Sequence, residues 1–288
     1  MTPSRLLGIL LLPAALAGRC APPGETNARQ TGRFEDPRLT ESSGVVVSRR
    51  HPGVLWTMND SGGEPALFAT DTAGRALGMP AVPEAANVDW EALGIGPCGG
   101  GTCLYIGDTG DNDESRPAVV LYRVPEPDPK AAGAGAAERL AVRYSDGAHD
   151  VEALYVEPDG GVVLVTKGRS GGVRAYRVDS SAWTAPGLEA RATLMDSLPI
   201  PRGNLVTDAA ISQDGTRVAV RTYRDIWLFR RDVRGRLQVA GSGPLCGVAG
   251  LEPQGEAIAW WDERTFVLTS EKGRFQAGPI TLVQCPLQ

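Results

Sequence analysis

The chain has 288 residues, 36 of them glycine and 22 proline, with a formal net charge of −5 and a pI near 5.2. The acidic balance leaves no basic stripe, which argues against nucleic acid as a partner. High glycine and proline content, without helical periodicity beyond the N-terminus, favours a single all-β domain.

The N-terminus is predicted to be a targeting segment. Arg5 precedes the apolar run Leu6–Leu12, and Ala15 and Ala17 form an A-x-A cleavage pattern. We therefore expect export to the periplasm or the extracellular space. Lipid anchoring at Cys20, which follows small residues, is the alternative to simple secretion. No later run approaches about 18 apolar residues, so no transmembrane span is expected.

An internal repeat defines the rest of the chain. The stretch ALFATD, Ala66–Asp71, returns four more times in related form, and the residue at its centre marks each copy: Phe68, Tyr122, Tyr176, Phe229 and Val283. The successive spacings are 54, 54, 53 and 54 residues. A period of this length, filled with short strands, is typical of a β-propeller. We predict a signal segment (1–20), a linker (21–31) and one propeller domain (32–288) of five four-stranded blades, with six blades as the alternative.

Each repeat contains four short apolar runs separated by turn residues, which predicts four strands. In the third repeat these are Val151–Glu157, Val162–Thr166, Val173–Val178 and Ala190–Leu194. The fifth repeat ends after its third strand, so Gly32–Leu39 is predicted to add the missing strand and close the last blade. Such a disc has no free edge, and we expect a monomer. Ala131–Ala137 is predicted to be a loop in the second blade.

The cysteines indicate an oxidising compartment. Cys98 and Cys103 flank a glycine-rich turn, and a disulfide there would join two strands of one hairpin. Cys246 and Cys285 form a plausible second pair, which leaves Cys20 over. Metal or redox chemistry is the alternative, although no CxxC or histidine-rich spacing accompanies these residues.

The chemistry is predicted to lie on one face of the disc. Strand direction alternates within a blade, so loops that precede first strands share a face with loops that follow second strands. Aligning the first strands places four carboxylates, with Ser43 in the first blade, in one column at the mouth of the central channel: Glu91, Glu152, Asp208 and Glu256. Asp108 and Asp111 lie in a nearby glycine-rich loop.

Clustered carboxylates raise one another's pKa unless a cation or hydrogen bonds offset the charge. Oxygen ligands without cysteine or histidine spacing favour Ca²⁺ over zinc, so these six acidic residues are candidate Ca²⁺ ligands. The alternative is that each carboxylate accepts backbone N–H bonds and fixes its loop.

Other polar residues on the same face are candidates for binding a small polar or anionic ligand or a surface glycan. Lys167 and Arg221 would orient a phosphate or carboxylate group. The remaining candidate ligand-binding residues are Asn59, Asp60, Asp89 and Glu271. His149 beside Asp150 is a candidate general base, and the alternative for His149 is a loop-capping role.

Several motifs carry a resemblance to known proteins: NVDWE from Asn87, YIGD from Tyr105 with Asp111-Asn112, YRVPEP from Tyr122, GAHDVEAL from Gly147 and PQGEA from Pro253. Together they resemble a group of exported bacterial β-propeller proteins over nearly the whole mature chain. More distantly, the acidic channel is similar to that of the calcium-dependent gluconolactonase-like lactonases and phytase-like esterases.

The distant resemblance implies one divalent metal in the channel and hydrolysis of a lactone or phosphoester. Those propellers are six-bladed, and only Glu41 or Glu91, Asn59 and Asp208 match their metal-binding positions. Two hypotheses of function follow. One is a metal-dependent hydrolase at the channel mouth, and the other is a non-catalytic surface-binding module that uses the same face.

Overall fold

A computed structural model describes residues 26–184, 189–274 and 276–286. The predicted signal segment and Cys20 lie outside these residues. Within them the fold is all-β, as predicted, and the one helical segment is a short 3₁₀-helix, Ser180–Thr184. No helix in the described ranges is long and apolar enough to cross a membrane.

The strands form five antiparallel units. Unit 1 contains β2 (Ser42–Val47), β3 (Leu55–Asn59), β4 (Phe68–Thr70) and β5 (Ala76–Gly78). Unit 2 contains β6 (Trp90–Cys98), β7 (Gly101–Asp108), β8 (Val119–Pro125) and β9 (Glu138–Tyr144). Unit 3 contains β10 (Val151–Val156), β11 (Val162–Thr166), β12 (Arg174–Val178) and β13 (Ala190–Ser197). A parallel pairing of β13 with β9 merges units 2 and 3 into one eight-stranded sheet.

Unit 4 contains β14 (Val206–Ile211), β15 (Arg217–Thr222), β16 (Asp225–Arg231) and β17 (Leu237–Val239), with the short β18 (Cys246–Gly247) also paired to β16. Unit 5 contains β19 (Gly255–Trp260), β20 (Thr265–Ser270), β21 (Pro279–Gln284) and the N-terminal strand β1 (Asn27–Arg33). The first strands of the units contact one another in cyclic order, β2 to β6, β10, β14, β19 and back to β2.

Small residues let these first strands approach closely. A Cβ added to Gly44 would lie 2.7 Å from the Cβ of Leu93 in the next unit, and one added to Gly94 would lie 2.3 Å from Cδ1 of Leu154. Neither distance is compatible with a larger residue unless the neighbouring unit moves. Glycine at these two positions therefore sets the tight spacing of units 1, 2 and 3.

The five repeat markers are all buried in third strands, and each belongs to a different hydrophobic cluster. Every cluster lies between two consecutive units, including one between units 5 and 1. Burial of these large side chains against the preceding unit removes apolar surface from water. The repeat detected in the sequence is thus a repeat of inter-unit packing.

The N-terminal strand lies earlier in the chain than predicted. The strand that pairs with β21 is Asn27–Arg33, in register from Asn27 opposite Gln284 to Arg33 opposite Pro279. The predicted strand, residues 32–39, overlaps it by only two residues, and the predicted linker to residue 31 contains most of it. Phe34 and Leu39, in the rest of the predicted strand, are buried in a non-strand segment. An outermost strand needs few apolar residues, so β1 gave a weak sequence signal.

Both predicted disulfides are present. Cys98–Cys103 joins β6 to β7 within one hairpin, and Cys246–Cys285 joins unit 4 to the segment after β21 in unit 5. The second bridge therefore links two neighbouring units beside the pairing of β1 with β21.

Candidate functional site

Each first strand carries a β-bulge at its beginning. The ladder between the first and second strands skips one residue in every unit, and the skipped residues are Ser43, Glu91, Glu152, Thr207 and Glu256. A bulge adds one unpaired residue and re-aims its side chain. Five bulges at equivalent positions therefore bring one side chain from each unit to the same end of the ring of first strands.

The register corrects the predicted column in unit 4. Thr207, not Asp208, occupies the bulge position. Asp208 is the residue after the bulge and pairs with Arg221 in the ladder, just as Ala92, the residue after the bulge in unit 2, pairs with Gly107. Both Asp208 oxygens accept backbone N–H bonds, from Ala209 at 2.7 Å and from Ile258 at 2.8 Å. Asp208 is completely buried, and burial raises its pKa well above the usual range. It joins unit 4 to unit 5 rather than facing the other bulge residues.

We call the cluster of charged side chains at this end the acidic mouth. Its members come from the bulges, from the loops before first strands and from the ends of second strands. The charge of each member shifts the pKa of others. The members are Asp60, Asp89, Glu91, Glu152, Lys167, Glu256 and Glu271. Six carboxylates thus surround a single lysine.

Three of these carboxylates converge closely. Asp60, Asp89 and Glu91 each offer an oxygen, and the three oxygens lie within 4.8 Å of one another. Glu91 is only 8% exposed, and its carboxylate accepts no hydrogen bond from any described residue. The backbone of Gly110 packs against this triad, since an added Cβ would lie 2.2 Å from Oδ2 of Asp89 and 2.9 Å from Cγ of Glu91.

The triad is electrostatically strained. Burial, followed by the charges of Glu152, Asp60 and Asp89, raises the pKa of Glu91 well above its usual value. Burial and the nearby Asp60 raise the pKa of Asp89 to about 6. Burial also raises the pKa of Asp60. All three shifts oppose ionisation, so a bound cation would relieve the cost of the charged form.

Lys167 lies on the unit 3 side of the mouth. Its ammonium group donates a hydrogen bond to Glu152, and both side chains are more than nine-tenths buried. Burial lowers the pKa of Lys167, but the charges of Glu152, Glu91 and Asp150 together outweigh this effect and raise it above its ordinary value. Burial raises the pKa of Glu152 to about 8 even though Lys167 opposes the shift.

Units 4 and 5 supply hydrogen-bonded acids. Glu256 accepts hydrogen bonds from the hydroxyl of Tyr223 and the amide of Gln254, both at 3.1 Å. Gln254 also donates to Glu271, whose pKa is raised to about 7 by burial and by the charge of Glu256. Tyr223 remains more than one-third exposed. This side of the mouth thus presents an aromatic ring beside polar groups.

Asp108 and Asp111 organise the loop behind the triad. Oδ1 and Oδ2 of Asp111 accept N–H bonds from Ser115 at 3.0 Å and Arg116 at 2.8 Å, and the Arg116 guanidinium donates to Asp108 at 2.9 Å. Asp150 accepts the N–H of Asp111 at 3.1 Å. These bonds fix the loop that contains Gly110, so the two aspartates support the triad from behind.

Three other candidate residues have structural contacts in the loops and strands around the mouth. The side-chain oxygen of Asn59 accepts the backbone N–H groups of Thr40 and Glu41, which fixes the loop before β2. Arg221 is 2% exposed, donates to the Ala257 carbonyl at 2.7 Å and pairs with Glu252. His149 contacts Asp146 at 3.0 Å and the hydroxyl of Tyr176 at 2.7 Å. No hydrogen bond or ion pair joins His149 to Asp150 within the described part of the chain.

Sequence reasoning missed Thr207, Tyr223 and Gln254. The hydroxyl of Thr207 is buried and has no hydrogen-bond partner among the described residues. Placing this residue required the bulge register, because a search for carboxylates selects its neighbour Asp208. The contacts of Tyr223 and Gln254 with Glu256 join two loops, and no local sequence signal indicates such a contact.

The raised pKa values predict a pH dependence of stability. We expect the melting temperature of the calcium-free protein to fall by about 5 °C or more as the pH rises from about 5 to about 8.5. Asp89 and Glu271 hold protons in the folded state that the unfolded chain releases, with folded pKa values of about 6 and 7. Their stabilising effect is therefore complete below the ordinary values of 3.8 and 4.5 and is lost as the pH passes these folded values.

Calorimetry in a chelator across this pH range would test the prediction. Carboxylates with a lowered pKa, such as Asp179 at about 2, titrate below the range and do not interfere. A melting temperature that stayed constant or rose with pH would contradict it.

No family model and no curated protein matches the sequence. Solved structures with a similar arrangement include one described as U3-55K, with a TM-score of 0.43 and 11% identity over 89% of this chain and 98% of that chain. A nidogen–laminin complex gives a TM-score of 0.49 and 11% identity over 85% and 86%. A functionally unknown protein from Desulfotomaculum acetoxidans DSM 771 gives 0.43 and 15% over 80% and 65%. At these values they assign neither a family nor a function.

Proposed function

We propose that the five units form a five-bladed β-propeller whose acidic mouth binds Ca²⁺ together with a small polar or anionic ligand. The cyclic order of the first strands and the closure of unit 5 by β1 support the propeller. In this arrangement the units are the blades and the five bulges surround one end of the central channel.

The observation that carries the proposal is the state of Glu91. Its carboxylate is buried beside Asp60 and Asp89 and accepts no hydrogen bond within the described ranges. A buried charge without a partner is costly, and buried charges in proteins are paired or coordinate metals. Three converging carboxylates with no cysteine or histidine form an oxygen-only donor set, which favours Ca²⁺ or Mg²⁺ over transition metals.

Ca²⁺ fits this site better than Mg²⁺. Ca²⁺ accepts six to eight oxygen ligands in flexible geometry, whereas Mg²⁺ requires a near-ideal octahedron and gives up water reluctantly. The three carboxylates supply part of such a shell and leave positions for oxygens of a ligand. Lys167 and Tyr223 lie around the same mouth, where they would contact an anionic group and an apolar face of that ligand.

Titration calorimetry of Ca²⁺ into the chelator-treated protein tests the proposal. We expect saturable binding at one site, a higher melting temperature in Ca²⁺, and weaker binding of Mg²⁺. Gly110→Ala should lower Ca²⁺ affinity at least about tenfold, because the new methyl group would displace the Asp89 carboxylate. Gly63→Ala is the matched control, since its Cβ would meet no atom closer than 3.8 Å.

Two results would count against a cation at the triad. One is the absence of Ca²⁺ binding in calorimetry. The other is Ca²⁺ binding that Gly110→Ala and Gly63→Ala leave equally unchanged, because the cation would then lie elsewhere.

Metal-dependent hydrolysis of a lactone or phosphoester is a second candidate function. The observation that favours it is a carboxylate outside the triad that titrates near neutral pH, since the pKa of Glu271 is raised to about 7 by burial and by the charge of Glu256. Such a group can take a proton from water under mild conditions. When bound, Ca²⁺ would polarise the carbonyl or phosphoryl oxygen of the substrate. Turnover of lactones or phosphoesters that needs both Ca²⁺ and Glu271 would support catalysis, and its absence would leave ligand binding alone.

We also propose that the protein is exported. Its two disulfides are typical of proteins that fold in an oxidising compartment. Mass spectrometry of the N-terminal peptide from the native host would distinguish cleavage after Ala17 from lipidation at Cys20, and an intact N-terminus on a cytosolic protein would contradict export.

A further inference from the structure

A cavity opens at the end of the ring of first strands opposite the acidic mouth. Its volume is about 260 Å³, and all five first strands contribute to its walls. We call it the far cavity, and it is lined by residues 45–49, 93–95, 154–156, 209–211, 213 and 259–261. It shares no lining residue with the acidic mouth, so its chemistry is independent of the proposed cation site.

Aliphatic side chains line the far cavity, and polar groups provide nearly half of its accessible surface. Val45, Val47 and Ile95 line it from units 1 and 2, and Leu154 and Ile211 line it from units 3 and 4. Val47, Ile95 and Ile211 are only half-buried, although they lie among core residues. Apolar surface that stays accessible in a concave site gains free energy when an apolar ligand covers it.

The rim carries an arginine, Arg49, that feels the charge of Glu126 but is in no ion pair with a described residue. The guanidinium of Arg49 forms no hydrogen bond and no ion pair with any described residue, and only its backbone N–H donates, to Oε1 of Glu126 at 3.2 Å. That oxygen also accepts bonds from Ser48 and from the Trp56 indole at 3.2 Å. The other Glu126 oxygen is buried and accepts no hydrogen bond from a described residue. Glu126 therefore sits near Arg49 but is not within ion-pair distance of its guanidinium.

Two further groups complete the rim. Gln213 is exposed, and its side chain makes no hydrogen bond within the described ranges. The indole of Trp261 is half-buried at the edge of the cavity. The rim thus combines one cation, one amide and one aromatic ring around an interior lined by aliphatic side chains.

We propose that the far cavity binds a small amphipathic monocarboxylate. Its hydrocarbon part would lie among the first strands, and its carboxylate would lie on Arg49 with Gln213 as a second hydrogen-bond donor. The aliphatic side chains in the walls favour a ligand with a hydrocarbon part, because binding transfers that part out of water. The single cation at the rim selects an anionic head group over a neutral one.

A chain-length series measures the apolar contribution. We expect calorimetry or tryptophan fluorescence to show saturable binding of octanoate, and affinity should rise about fourfold for each methylene from butanoate to octanoate. Octanol, which has the same chain length without the charge, should bind at least about tenfold more weakly. The affinities should be equal in Ca²⁺ and in chelator, so failure here is distinguishable from failure of the cation site.

Two variants locate the site. Arg49→Gln should weaken octanoate binding about tenfold and remove the preference over octanol, whereas Arg234→Gln, a change at an exposed arginine in the β16–β17 turn, should have no effect. Val47→Phe should fill the cavity and abolish binding while the melting temperature confirms that the variant is folded. Absence of saturable octanoate binding, equal binding of octanol, or octanoate binding unaffected by both Arg49→Gln and Val47→Phe would each overturn the proposal.

Discussion

Glu91→Gln is expected to make the calcium-free protein more stable and the calcium-loaded protein less stable than the original chain. In chelator, the substitution removes a buried carboxylate that has no hydrogen-bond partner among the described residues and that faces Asp60 and Asp89. An amide of the same shape carries no charge, so the melting temperature should rise. In Ca²⁺, loss of one charged ligand should weaken binding about 100-fold, or about 2.7 kcal/mol, and the ion-induced stabilisation should disappear.

Differential scanning calorimetry in chelator and in excess Ca²⁺ measures both effects on one sample. Glu263→Gln is a matched control, because Glu263 is exposed in the turn between β19 and β20 and should change neither melting temperature by more than a degree or so. A Glu91→Gln protein that lost the same stability in both conditions would show that the carboxylate has a structural role instead.

Arg221→Met is expected to destabilise the protein by about 3–5 kcal/mol, in Ca²⁺ and in chelator alike. The guanidinium is 2% exposed and donates to the backbone carbonyls of Ala257 at 2.7 Å and Thr269 at 3.2 Å. It also pairs with Glu252, whose side chain is 1% exposed. Methionine would leave that carboxylate and the two carbonyl groups buried without these partners, at the interface of units 4 and 5.

Urea denaturation gives the free energy of unfolding for this comparison. The double variant Arg221→Met with Glu252→Gln should recover part of the loss, because it also removes the isolated charge. A loss below about 1 kcal/mol for the single variant would mean that Arg221 is not a structural cation. The prediction that Arg221 binds an anionic ligand would then need a direct binding test.

The sequence predicted the architecture better than the site. Packing contacts recur from unit to unit and leave a regular pattern in the sequence, whereas contacts between loops do not recur. Phe68, Tyr122 and Tyr176 occupy equivalent places between units, and a regular spacing of large apolar residues reveals such places. The closing strand β1 was misplaced because its one exposed side demands few apolar residues.

The site depends on details that spacing does not encode. The prediction placed Asp208 at the bulge position, which Thr207 occupies in the structure. This error of one residue matters because a one-residue shift in a strand reverses the direction of a side chain. His149 and Asp150 are adjacent in sequence, but successive side chains need not share a partner, and His149 stacks on Tyr176 instead. Glu91 was aligned with the other bulge residues, since all five units place a polar or acidic residue at this position and repeat alignment recovers four of them.

The pairing of β1 with β21 also has a consequence for the order of events during synthesis. Residues 27–33 are made long before their partners, residues 279–284. Units 1 to 4 contain only neighbouring segments and can form as they emerge, whereas unit 5 cannot close until β21 has been made. Closing so long a loop slows folding because contacts between distant segments form late. Until then the exposed edge of β21 and the apolar surfaces of units 5 and 1 are open to wrong partners, and this interval is when the nascent chain is most vulnerable to aggregation.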